Sequence, residues 1–363
     1  MNKIFKYISS LMIAILTLPS ITSCDAVHEW PDPLPIIPFH FDADFSSNFN
    51  DWTEWHHSFD EVSVSENGKG DTYENLISDT KMRYIIRIFE QDENSRAASE
   101  HFKEIVMTKE SSNGLYNIDF DLELVPGYYK LMIWADFMKE NDSDEAHYDC
   151  SSFSEIKLMG EHTANSDRRD AFRGVLDLKV GDNVVSSTPK KYEIKMERPL
   201  AKFEFITEDV IKFIDKETRR IAAKGNSVRD DSQDSPETRV NLNSYKVVFY
   251  YVGFMPNTYN MHTDKPVDSS TGVFFESTLK KLSETEASMG FDYVFVNGVE
   301  SAVTVQVAIF DDEGTQLSLS APIKIPLRRS HHTIMRGTFL TSEATGGVAI
   351  NPDFDGEFNL IIP

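Results

Sequence analysis

Trp52 and Trp55 stand three residues apart in a segment rich in Phe, His and Asp. Exposed indoles at that spacing can stack on the apolar faces of sugar rings, whereas buried ones simply pack in a core, the commoner fate of large aromatics. Histidines form two adjacent pairs, His56-His57 and His331-His332. Neighbours on a strand point to opposite faces, so neither pair suits a shared metal ion, and one imidazole in with one out is expected. The run from Asp136 to Asp149 carries Asp142, Asp144 and Glu145 but no glycine, and a calcium loop needs a turn glycine between spaced ligands. Asp353-Phe354-Asp355-Gly356-Glu357 starts like such a loop and then becomes a strand. Both acidic segments read as solvated loops. There is no Gly-x-Ser-x-Gly elbow, no glycine-rich phosphate loop and no His-Glu-x-x-His helix. The expectation is a protein without catalytic residues, metal or cofactor.

Cys24 offers covalent chemistry of another kind. Lys3 and Lys6 precede an uncharged apolar stretch from Ile8 to Leu18, too short to span a bilayer and of the form of a secretory signal. The residues that follow, Ile21-Thr22-Ser23-Cys24, resemble the lipobox of bacterial lipoproteins, in which the cysteine is acylated and becomes the first mature residue. This implies a signal peptide over 1–23, lipidation at Cys24 with palmitate-type chains, and attachment to the outer membrane at the cell surface without a spanning helix. Four prolines between Pro31 and Pro38 make residues 24–38 a stiff, extended tether. Cys150 is then the one cysteine left in the body, which excludes an internal disulfide there; it reads as a small buried apolar residue.

These features must be carried by a folded body. With 59 Asp+Glu against 36 Lys+Arg, the formal net charge of −23 excludes a nucleic-acid surface and a polybasic membrane patch. Aromatic residues at 12% are too plentiful for a disordered acidic chain, and 363 residues allow about two domains of ~100–200 residues each.

Period-two alternation dominates. Tyr116, Ile118, Phe120, Leu122 and Leu124 alternate with Asn117, Asp119, Asp121 and Glu123, a half-buried antiparallel strand that turns at Pro126-Gly127 and returns over Tyr128–Phe137. Further strands are expected at 82–89, 175–180, 192–196, 203–206, 245–254, 291–296, 302–310, 317–319, 323–327, 334–340 and 358–362. Helix is expected over 208–224, with Thr207 as N-cap, acids in its first turn and Gly225 as its stop, and a second short one within 278–289. The fold class is all-β, two tandem sandwiches over 39–197 and 198–363, divided near Arg198-Pro199.

The carboxy-terminal residues then become familiar. Ile325-Pro326-Leu327-Arg328-Arg329, Thr333-Ile334-Met335-Arg336-Gly337-Thr338-Phe339-Leu340-Thr341 and the turn at Phe354-Asp355-Gly356-Glu357 resemble the closing strands of fimbrillin-like proteins of Bacteroidota. Pro126-Gly127-Tyr128-Tyr129-Lys130-Leu131 and Trp134-Ala135-Asp136 are similar to a strand pair of that superfamily's first domain. Segments 245–255, 263–272 and 290–298 are similar to a lipoprotein family of unassigned function within it, related to anchor and accessory subunits of the minor fimbrium. The resemblance implies two transthyretin-like β-sandwich domains and fimbrial subunits as partners.

In stalk subunits of that superfamily an Arg- or Lys-directed protease removes the amino-terminal strand, and a neighbour's strand fills the groove. Here no Lys or Arg occurs from Asp25 through Gly68. The leading expectation is therefore a lipid-anchored fimbrium anchor or accessory subunit working by strand complementation. The alternative is a surface module that binds a glycan or a host protein through Trp52 and Trp55.

Overall fold

Alternating polarity is converted directly into buried and solvated faces. Ile118, Phe120, Leu122 and Leu124 are buried while Asp119, Asp121 and Glu123 between them are exposed. The computed structural model describes residues 34–45, 53–58, 65–69, 81–92, 97–110, 117–138, 146–181, 189–223 and 240–341, with 53–58 and 65–69 as backbone.

Up to residue 195 the strands are β1 (Ile37–Asp44), β2 (Thr53–Ser58), β3 (Ser65–Lys69), β4 (Lys81–Glu90), β5 (Lys103–Glu110), β6 (Ile118–Leu124), β7 (Gly127–Phe137), β8 (Tyr148–Asp149), β9 (Ile156–Leu158), β10 (Ala171–Val180) and β11 (Lys190–Lys195). After it come β12 (Leu200–Thr207), helix α1 (Val210–Ala223), β13 (Lys246–Tyr251), β14 (Phe254–Asn260), β15 (Lys265–Thr271) and β16 (Phe274–Thr278). The series closes with β17 (Lys280–Lys281), β18 (Ala287–Phe295), β19 (Glu300–Phe310), β20 (Gln316–Leu319), β21 (Ile323–Arg328) and β22 (His331–Gly337).

The fold is all-β, as the alternation requires. Sheet β11-β1-β6 faces sheet β10-β7-β4-β5 across a core that includes Phe39, Phe41, Tyr84, Phe120, Leu131 and Phe172. Sheet β17-β18-β12-β22-β2-β3 faces the sheet of β16, β13, β19, β20 and β21 across a second core, which α1 closes with Val210, Phe213 and Ile214. Strands β2 and β3 thus lie in a sheet with β22, which β2 pairs in parallel. A third cluster, including Trp134, Tyr148, Phe153, Tyr259, Tyr293 and Phe295, joins strands from both sides of Arg198, and the described residues from Ile36 form one compact unit.

Several sequence expectations need correction. Helix α1 starts at Val210, and no acid lies in its first turn. The Asp209 carbonyl accepts the first helical N–H, from Phe213, and its carboxylate accepts from the Thr207 hydroxyl and the Thr341 N–H. Asp209 is therefore committed to holding the segment after β22. The helix expected within 278–289 is absent: β17 and the start of β18 occupy it, because Ala287 and Met289 alternate into the core. The single strand expected over 245–254 is two, bent at Gly253, whose φ of +99° favours glycine. The strand β1 begins at Ile37, so the last two residues read as tether are strand. The strand expected at 358–362 lies outside the described residues.

Buried ion pairs fasten the segments around Arg198. Arg198 and Asp170 are fully buried and meet at 2.8 Å, the guanidinium lying 4.6 Å over the Phe172 ring. Arg169, 1% exposed, bonds the buried carboxylate of Asp292 on β18, which also accepts from Tyr251 Oη at 2.6 Å and lies 2.7 Å from His162 Nε2. Burial alone would raise the Asp292 carboxyl, but Arg169, His162 and Tyr251 together hold it below the ordinary value. Asp264, in the β14–β15 turn, accepts from Arg173 at 2.9 Å and from Arg329 at 2.8 and 2.9 Å. Asp264 is partly exposed, whereas removing one partner of a fully buried pair such as Arg169–Asp292 strands a charge in a dry site. Asp292→Ala should therefore lose about 3–5 kcal/mol in urea unfolding.

Candidate functional site

The segment that enters the fold first is β1, and its sequence IPFHFDAD sends every second residue inward. Ile37, Phe39, Phe41, Ala43 and then Phe45 are all at most 2% exposed. Phe41 stacks on Phe120 with centroids 5.2 Å apart and on Tyr192 at 5.8 Å, while Phe45 meets Phe172 edge-on at 5.2 Å. Burial of each large side chain is worth about 1.5–3 kcal/mol.

Both edges of β1 are used. It runs antiparallel to β6 from Ile37↔Leu124 to Ala43↔Ile118, and parallel to β11 from Phe39↔Lys190 to Asp44↔Lys195. Pro38 is tolerated because the β11 ladder begins one residue later, leaving that side of the strand open at 38. The far end is pinned by Met196 N–H on the Asp44 carbonyl at 3.0 Å and by Phe45 N–H on Asn117 Oδ1 at 3.1 Å. Gly174 on β10 makes room there, since a Cβ would come within 2.6 Å of Met196 Sδ and 2.8 Å of Ile194 Cγ2. Without β1, the strands β6 and β11 would face each other across an open groove with unpaired backbone on both sides.

The outward row of β1 carries His40, Asp42 and Asp44. His40 Nδ1 lies 2.8 Å from Asp121 Oδ1 on β6, and Nε2 lies 3.3 Å from Asp42 Oδ1. The Asp121 hydrogen bond, with Asp42 adding its charge, raises the imidazole above its ordinary value, against partial desolvation and Lys191 on β11. Protonated His40 therefore ties β1 to β6.

The other sequence candidates are dispersed. Cys24 and Trp52 lie outside the described residues, and Trp55 falls in β2, of which only the backbone is described. His332 is buried and His331 partly exposed, the one-in, one-out arrangement of strand neighbours. Asp136 is no loop carboxylate: it is fully buried and takes two hydrogen bonds from Arg83, at 2.9 and 2.6 Å. Cys150 is buried, and burial pushes its thiol well up. Among the described residues no three His, Cys, Asp or Glu are grouped to hold a metal ion, and no helix is long and apolar enough to cross a membrane.

One constellation invisible in the sequence is Ser288, Glu204 and His332, contributed by three neighbouring strands. Ser288 Oγ donates to Glu204 Oε1 at 2.5 Å, and His332 Nε2 lies 3.2 Å from Glu204 Oε2. The carboxylate sits in the middle, so the imidazole is not on the hydroxyl as nucleophile activation requires.

The sequence model of a family of unknown function (DUF6562) matches residues 52–363, and the chain belongs to that family. A family without assigned function is what the resemblance read from the sequence implied. None of the curated proteins matches. Among solved structures, a fimbrial assembly protein from Parabacteroides distasonis is similar at 10% identity and a TM-score of 0.39, over 86% of this chain and 94% of that one. The tip fimbrial protein Mfa3 from Porphyromonas gingivalis is similar at 11% identity and 0.38, over 80% and 81%. The fimbrial anchor protein Mfa2 from the same organism is similar at 10% identity and 0.35, over 78% and 82%. At these scores the likeness is faint.

The packing of β1 sets two expectations. Phe41→Ala should cost about 3–5 kcal/mol in denaturant unfolding. His40→Gln should lower stability below the unfolded histidine value near 6.5. The difference from wild type should fade as pH rises through the higher folded value, because a raised pKa stabilises only the protonated side. Paired urea titrations across pH 5–9 read both.

Proposed function

We propose that this member of a family of unknown function is a lipid-anchored surface protein, attached through Cys24, that serves a fimbrium as anchor or accessory subunit. The role is attachment, not catalysis. The observation that carries the reading is the seating of β1 between β6 and β11 in a stretch, Asp25 through Gly68, that contains no Lys or Arg.

An Arg- or Lys-directed protease meets its first mature site at Lys69, at the end of β3. Cutting after it would detach β1 from one sheet and β2 with the whole of β3 from another. A subunit that must open its groove by such a cut is poorly served by this arrangement. One that keeps its strand, and with it the covalent path to the lipid, is well served. Fimbrial partners would then add their own strands at a free sheet edge, gaining ladder bonds and alternate side-chain pockets.

The test is recovery of the full-length protein from membranes of its own cells after crosslinking. Mass spectrometry should find an acylated Cys24 in a fragment continuous with β1, and electron microscopy should find filaments ending on the protein. A mature amino terminus beyond Lys69 would contradict the anchored reading, and recovery without fimbrial subunits would remove the fimbrial one.

A further inference from the structure

The outer face of the β13–β16 pair carries side chains that no part of the strand-seating argument uses. Cross-strand pairing sets three rungs side by side: Lys246 opposite Thr278, Val248 opposite Glu276, and Tyr250 opposite Phe274. Successive rungs are about 6.8 Å apart, because alternate residues share a face. At one end, Tyr250 and Phe274 hold their rings 6.2 Å apart and are 39% and 53% exposed. Val252 and Phe254, beside them at the Gly253 bend, are also exposed. At the other end an open cleft of about 340 Å³ is lined by Asn165, Ser244, Lys246, Glu276, Thr278 and Lys280, among others. A buried residue, Val248, separates the two ends.

An exposed aromatic pair, its rings inclined by 37°, on paired strands beside a cleft of hydroxyl, amide and charged groups suits a ligand with apolar ring faces and a hydroxylated rim. A purely apolar partner would leave the cleft's polar groups unmatched. Asn165 also closes this edge to strand addition: its Nδ2 donates to the Glu276 carbonyl at 3.1 Å, and its Oδ1 accepts from Phe291 N–H at 2.9 Å. Lys246 is shared with Glu276 at 3.0 Å, whereas Lys280 has no ion pair among the described residues. The cleft is therefore net cationic on a chain of formal charge −23. A carboxylate-bearing ligand matches that charge.

We infer that this strip binds a short acidic oligosaccharide, with a ring stacked on Tyr250 and Phe274 and a uronic-type carboxylate at Lys280. The site is independent of the seating of β1 and of any fimbrial partner.

The test is calorimetric titration of the full chain with a set of galacturonate and glucuronate oligosaccharides and with their carboxyl-reduced counterparts. Wild type should bind an acidic member, and the double variant Tyr250→Ala, Phe274→Ala should bind it at least about tenfold more weakly. Lys280→Gln should abolish the preference for the acidic form over the reduced one. Lys280 is exposed, so this variant keeps the test decisive should the double variant unfold. Failure of every acidic member to bind, or unchanged affinity in the double variant, would overturn the site. Equal affinity for acidic and reduced forms would overturn its charge assignment.

Discussion

A strand with partners on both sides cannot be removed without orphaning two ladders, and β1 is such a strand. It supplies the first core with Ile37, Phe39, Phe41, Ala43 and, just beyond its end, Phe45, and among the described residues it lies between β6 and β11 in their sheet. The segment before it is proline-rich. If the chain is held at Cys24, a pull from the body loads β1 along its length. Ladder bonds on both edges then share the load in shear, instead of opening one after another from an end. The same packing that folds the first sandwich thus suits β1 to be a mechanical attachment.

The rest of the body passes that load on only if the segments on either side of Arg198 are rigidly joined. Aromatic packing around Trp134 and Tyr293 supplies area, and the buried pairs Arg198–Asp170 and Arg169–Asp292 supply direction. Buried ion pairs add little net stability compared with apolar packing, yet they tolerate few alternative geometries. Here Asp292 on β18 collects Arg169 and His162 from the β9–β10 connection and Tyr251 from β13, so three parts of the chain meet at one carboxylate. That combination favours a fixed relation between the sheets over a hinge.

The sequence revealed the faces of β6 and nearly the bounds of β7 because their alternation is uninterrupted and their turn is Pro-Gly. It concealed the start of β1, since Ile37-Pro38 reads as a continuation of the proline tether until the missing β11 partner at 38 is known. Thr278–Met289 resembled a helix because its few apolar residues fit either period; the pairing of Ala287 with Thr207 decided for strand. The joint was illegible for a different reason. Asp170 and Asp292 look like any surface acids, and only the fold brings their arginines from 28 and 123 residues away. The Tyr250–Phe274 strip was hidden likewise, because its rings come from two different strands, whereas the spacing of Trp52 and Trp55 is visible in one segment. The basic-free stretch around β1 was the exception, a property of composition that sequence alone displays in full.

The most direct measurement of the central claim is native-state hydrogen exchange on the full-length protein, following the amides of Phe39 to Asp44 against those of β7. If β1 is a permanent inner strand, both sets should exchange only through global unfolding and show the same protection free energy. Exchange of the β1 amides by a lower-energy opening, with β7 still protected, would mean that the slot empties on its own and that the strand is not a fixed anchor.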